Sequence, residues 1–166
     1  GYGVSSDGTL HFSNDESKLY FGLALPKIVQ DTLLIEEEIV NVEVWTYNEP
    51  RLYTIQEKQL NNDKKKSFKT VYHLKKDKLV QIASKEFPDA ILTEDGDENY
   101  ALISRIEPYQ LSSQWTAQFS KNDLAIININ DGVKKLAIKG NPSSASLSPF
   151  GNYAFGYNQV DSTWYT

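Results

Sequence analysis

The sequence predicts an all-β chain whose short antiparallel sheets recur along its length. Three observations predict it. A strand, a polar turn and a second strand follow one another in three places. Two of these copies lead into a further pair of strand-like runs joined by a tight turn. Aromatic residues are abundant, with 10 Tyr, 7 Phe and 3 Trp among 166 residues, and such side chains pack well on a pleated surface.

The first copy is Phe12-Ser13-Asn14-Asp15-Glu16-Ser17-Lys18-Leu19-Tyr20-Phe21. The second is Leu92-Thr93-Glu94-Asp95-Gly96-Asp97-Glu98-Asn99-Tyr100-Ala101-Leu102, and the third is Leu147-Ser148-Pro149-Phe150-Gly151-Asn152-Tyr153-Ala154-Phe155-Gly156. Each begins with an apolar residue and Ser or Thr, turns around Asp or Gly, and resumes as a strand. Such turn residues reach positive φ at low cost and close hairpins.

Behind the second copy, Tyr100 to Ile106 reads as one strand and Leu124 to Asn130 as the next. Asp131-Gly132 turns the chain and Val133 to Ile138 returns. With Ile91 to Glu94 this makes four antiparallel strands between about Asp89 and Lys139, roughly 50 residues, the size of one β-propeller blade. The first copy ends in the same way. Phe68 to Leu74 is a strand, Lys75 to Lys78 a turn, and Leu79 to Ala83 the return. A long insertion, Pro26 to Asn62, separates its second and third strands. Within it, Ile28 to Val40 is open between a short helix, which Glu36 to Glu38 favour, and an irregular loop. In the third copy, Thr163 to Thr166 is expected to be the third strand. The expected architecture is therefore a partial β-propeller of antiparallel four-stranded blades in a single unit, 1–166. Its blades span 9–84, with the insertion at 26–62, then 89–139, and 143–166, the last incomplete. A closed propeller typically needs at least four blades. The open edges would invite self-association, since unpaired strand N–H and C=O groups accept another strand.

Composition narrows the function. The formal net charge is −5, which argues against a nucleic-acid surface. The one basic run, Lys64 to Lys66, sits beside Asn61, Asn62 and Asp63 and reads as a solvated loop. No apolar run is long enough to span a bilayer. There is no Cys, so disulfides and thiolate metal sites are excluded. The chain also lacks Met and opens Gly1-Tyr2-Gly3, which reads as an excised domain or a processed product. Asp95-Gly96-Asp97-Glu98 resembles the start of a calcium loop, but the other copies do not keep its carboxylates, so it reads as a turn. No cofactor or metal site is expected.

The insertion carries a family signal. Phe21-Gly22-Leu23-Ala24-Leu25-Pro26, Asp31-Thr32-Leu33, and Val42-Glu43-Val44-Trp45-Thr46-Tyr47-Asn48-Glu49-Pro50 with Leu52, Gln56 and Leu60 resemble a stretch of bacterial prolyl-oligopeptidase-family serine peptidases. The polar-turn strands resemble the propeller repeats of the same proteins. This resemblance implies a propeller that caps an α/β-hydrolase domain and limits which peptides reach a Ser-Asp-His triad. It implies that the segment itself is not catalytic. Its partners would be the hydrolase domain of the same chain and peptide substrates, and its setting the periplasm or beyond. No Gly-x-Ser-x-Gly nucleophile elbow occurs here, so no catalytic residue carries over. The Glu36 to Glu38 run does not match the glutamate motif by which some members hold a peptide amino terminus.

Individual candidates have competing readings. His11 and His73 are the only histidines. A triad is defined by geometry and not by the presence of its residue types, and His73, alternating with Val71, reads as a strand-face residue. Trp45, Tyr47, Arg51 and Tyr53 cluster around Pro50. They either pack the insertion onto its own blade or form an interface with the hydrolase domain or a neighbouring protomer, where aromatics and Arg are enriched. Trp115 falls in a loop between the second and third strands of its blade. The alternative function is a propeller used only as a platform for binding proteins.

Overall fold

The computed structural model describes residues 1–27, 33, 35, 46, 48–116 and 120–166. Along the described chain the elements run β1 (Gly3–Val4), β2 (His11–Phe12), β3 (Lys18–Ala24), α1 (Tyr53–Lys64), β4 (Phe68–His73), β5 (Lys78–Gln81), β6 (Asp89–Ile91), β7 (Tyr100–Arg105), α2 (Glu107–Trp115), β8 (Asn122–Asn128), β9 (Lys134–Asn141), β10 (Ala145–Leu147), β11 (Ala154–Asn158) and β12 (Thr163–Tyr165). The protein is mostly β, and every described strand pairing is antiparallel.

Three sheets form, each a meander in chain order. The first is β3, β4 and β5, with β1 and β2 sharing the outer edge of β3. The second is β6-β7-β8-β9 and the third β10-β11-β12. The strand expected over 100–106 runs Tyr100–Arg105, and the one expected over 124–130 lies slightly earlier, at Asn122–Asn128.

The sheets stack face to face, and period-2 alternation decides which residues meet. Tyr20, Val71 and Val80 of the first sheet share one core with Ala101, Ile103, Ala125 and Ile127 of the second. Leu102 and Leu124, on the opposite face of the second sheet, join Ala145 of the third, with Leu147 and Ala154 packed alongside. The middle sheet is thus covered on both faces. This explains why Ala101-Leu102-Ile103 and Leu124-Ala125-Ile126-Ile127 are continuous apolar runs and not alternating ones.

The first and third polar turns share one hydrogen-bond pattern, and all three share a positive-φ residue. In the first, the Glu16 amide donates to the Ser13 carbonyl at 3.0 Å and the Lys18 amide to Ser13 Oγ at 3.0 Å. In the third, the Gly151 amide donates to the Ser148 carbonyl at 2.8 Å and the Tyr153 amide to Ser148 Oγ at 3.1 Å. The fourth residue of each turn has positive φ: Glu16 at 54°, Gly96 at 69° and Gly151 at 63°. Only the first copy places a side chain there. Glu16→Gly is accordingly expected to stabilise the protein by about 0.5–1 kcal/mol, because relief of the left-handed strain exceeds the entropy cost of glycine. A urea midpoint that falls in this variant would show that the turn is unstrained.

The turns also stitch neighbouring sheets together at one end of the stack. The Asn14 amide donates to the Asp95 carbonyl at 2.8 Å, and the Asp15 amide to Asp97 Oδ1 at 3.0 Å. Lys18 Nζ donates to the Asp97 carbonyl at 2.5 Å, and the Tyr20 hydroxyl to the Gly96 carbonyl at 2.7 Å. The Asp95 to Glu98 stretch is therefore a turn docked on its neighbour.

Two helices correct the sequence reading. Trp115 was expected in a loop, but Glu107–Trp115 is helical. Pro108 lies in the first turn of that helix, where its missing N–H costs nothing, and Glu107 favours the positive helix end. Lys64 to Lys66 was expected in a loop, but Lys64 closes the last turn of α1 and Lys65 caps it. There a cation meets the partial negative charge of the helix end. All three lysines are exposed. The helix-or-loop segment Ile28 to Val40 lies, apart from Leu33 and Ile35, outside the described residues.

Candidate functional site

Both helices interrupt the same connection in their sheets. Helix α1 lies between β3 and β4, and α2 between β7 and β8. In an antiparallel meander these connections fall at the end opposite the polar turns, so the two insertions share one end of the stack. They touch there: Gln114 Nε2 of α2 donates to the Pro50 carbonyl just before α1.

Of the four residues expected at an interface, Trp45 and Tyr47 lie outside the described residues. Arg51 folds back along α1, donating from Nη1 to Gln59 Oε1 at 2.8 Å and from Nη2 to Asp63 Oδ2 at 2.7 Å. Its carbonyl accepts from Gln56 Nε2 at 2.8 Å. Gln59 and Asp63 are four apart and share a helix face, so Arg51 braces the helix it precedes. Tyr53 opens α1 and is half-buried.

Neither helix has a fully buried residue. A 12-residue helix in water is marginal on its own, and the apolar side chains of this end remain accessible. Leu52, Ile55 and Leu60 are exposed at α1, and Leu111 and Trp115 lie four apart on α2, with Trp115 at 74% exposure. The helical end is a weakly supported, largely polar surface that carries a few exposed apolar side chains.

Helix α2 is anchored by a buried carboxylate that sequence reasoning missed. Asp123 on β8 is fully buried. It accepts from Arg105 Nε and Nη2 at 2.9 Å, from the Tyr109 hydroxyl at 2.5 Å and from the Gly140 amide at 3.0 Å. The β8–β9 register shifts beside Leu124, and Gly140 has positive φ at 66°. Such an irregularity takes amides out of the ladder, and the Asp123 side chain accepts from one of them. Burial opposes the charged form. The Tyr109 hydroxyl, the Gly140 amide and the Arg105 guanidinium outweigh it and hold the Asp123 pKa below the usual carboxylate value. The only sequence signal was an Asp at a strand start, which points to no partner.

The two histidines are occupied by the fold. His73 is buried, and its Nε2–H donates to the Ile129 carbonyl at 2.8 Å, tying the first sheet to the second. His11 stacks on Tyr20, with ring centroids 5.0 Å apart. Burial, and then nearby Lys69, lowers its pKa below the usual imidazole value. Lys69 lines a cleft of about 190 Å³ with Gly8, Thr9, Gly22 and Ser67. Among the described residues no group of three His, Cys, Asp or Glu side chains is placed to hold a metal ion, and no helix is long and apolar enough to cross a membrane.

The two outer faces of the sheet stack carry apolar side chains. On the first sheet, Phe12, Leu19, Tyr72 and Leu79 are paired across successive strands and point away from the core. Phe12 and Leu79 are exposed. On the third sheet, Phe155, Tyr157 and Trp164 point away from the second sheet. Tyr157 and Trp164 face each other across β11 and β12, with centroids 5.2 Å apart. No family model, curated protein or solved structure matches the chain.

Proposed function

We propose that this chain is a non-catalytic β-propeller segment of a prolyl-oligopeptidase-family serine peptidase. Its role is to gate peptide access to a hydrolase domain encoded elsewhere in the same protein. The observation that carries the propeller reading is the repetition of one unit. Three antiparallel meanders stack face to face, and each opens with the same Ser/Thr turn and a positive-φ fourth residue. Repetition of one stacked unit fits a propeller, in which radial repetition protects the strand edges. The peptidase reading rests on the resemblance of the insertion around Trp45 to Gln56. Trp115, 74% exposed on the helical end, supports it, because exposed aromatic side chains are enriched at protein contacts. In this reading the helical end is where the blades meet the hydrolase domain, and gating acts by exclusion, admitting short or unfolded peptides only.

The reading frame beyond Thr166 tests this. Further copies of the unit followed by Gly-x-Ser-x-Gly, with a later Asp and His, are expected. A frame that carries more units and no hydrolase domain would overturn the peptidase reading and leave a propeller that binds protein partners.

A further inference from the structure

We infer that the outward face of the third sheet, centred on Phe155, Tyr157 and Trp164, is the docking surface for a fourth antiparallel sheet of the same protein. That sheet would present Ala at the second-strand position that meets the aromatics. The inference rests on the propeller reading above and adds the partner and its surface chemistry.

Register makes the three sheets comparable. Tyr20 pairs with His11, Leu102 with Ile91 and Phe155 with Ser146. His11, Ile91 and Ser146 each lie two residues before the turn Ser or Thr, at Ser13, Thr93 and Ser148. Tyr20, Leu102 and Phe155 therefore occupy one position of the repeat, and each points toward the sheet that follows. Tyr20 is 0% exposed beneath the second sheet, and Leu102 is 1% exposed beneath the third. Phe155 is 37% exposed, with Tyr157 at 37% and Trp164 at 73% on the same face. The position that is core in two sheets is open in the third.

The covered interfaces also show what the partner presents. The residue preceding the large one faces the previous sheet, and in both covered cases it is alanine: Ala101 against the first sheet and Ala154 against the second. A small side chain there lets the sheets approach over the bulkier residue opposite, as close packing demands. A face with three aromatics needs such a partner more than either earlier face does. The series of interfaces, first on second and second on third, continues outward in the same sense. The occupant is thus expected to read apolar–Ser/Thr–turn and then a strand carrying Ala one residue before its own large apolar residue.

Hydroxyl-radical footprinting resolved by mass spectrometry tests this. The 166-residue chain is compared with a chain extended along its own reading frame. Labelling of Phe155, Tyr157 and Trp164 is expected to fall several-fold in the extended chain. Tyr165, whose hydroxyl already reaches Asn141, is expected to stay constant as the internal control. If the frame holds a fourth copy and Trp164 labelling does not change, the docking inference fails while the propeller reading stands. If the frame holds no further copy, the propeller reading fails and takes the inference with it.

Discussion

Tyr20→Ala is expected to cost about 4 kcal/mol of unfolding free energy, while Phe155→Ala in the same 166-residue chain costs under about 1 kcal/mol. The two side chains occupy one position of the repeat and are similar in size. Their surroundings differ. Tyr20 is fully buried in the core shared by the first and second sheets, and its hydroxyl donates to the Gly96 carbonyl. Truncation there leaves a cavity between two rigid sheets and removes the hydrogen bond that seats the neighbouring turn. Phe155 lies on a face that nothing covers among the described residues. Tyr20→Phe separates the two contributions and is expected to cost about 1 kcal/mol, the net worth of one hydrogen bond. Urea unfolding monitored by circular dichroism reads all three variants. Equal losses at Tyr20 and Phe155 would mean that the third sheet is buried in solution, contrary to the exposed face described here.

Asp123→Ala is expected to cost about 3 kcal/mol at pH 7, because it removes the buried carboxylate at the centre of a partly buried cluster, to which Tyr109, Gly140 and Arg105 donate. Arg105 keeps Glu86 at 3.3 Å as an exposed partner, which holds the loss toward the lower end of the range for broken buried pairs. The pH dependence has a definite sign. The folded-state pKa of Asp123 lies below its unfolded value. Its contribution is therefore complete above the unfolded carboxylate value of about 3.9 and is lost as pH falls through the folded pKa. The wild type should lose stability steeply in acid. Asp123→Asn should show a shallower slope over that window and a lower plateau at neutral pH. Unfolding midpoints at pH 7 and pH 3 decide it, and identical acid slopes would remove Asp123 from the account. Helix α2 is expected to fray first in the Ala variant, since Tyr109 is its hydrogen-bonded link to β8.

The parts of the fold legible in the sequence are those that local chemistry controls. Asp131-Gly132 turns the chain between β8 and β9, and Gly132 has φ of 81°. The two Ser turns close on their own side chains, so their residue types announce them. His73 was readable as a strand-face residue because it sits in phase with Val71. The helices were harder. Helix α1 has no buried residue and no apolar stripe to give it period, and Pro108 reads as readily as a turn residue as a first-turn residue. Propensity over short windows is a weak prior that tertiary context overrides.

By itself the sequence determined three copies of one hairpin unit, because hairpin closure depends on turn residues and alternation within a few positions. The tertiary structure alone decided which copies are core and which are surface. Tyr20, Leu102 and Phe155 share a place in the repeat, yet burial is conferred by the sheet stacked above and not by the strand that carries the side chain. It also decided the meeting of Asp123 with Arg105, Tyr109 and Gly140. A break in the β8–β9 ladder, and a helix folded over it, bring together groups that no sequence spacing connects.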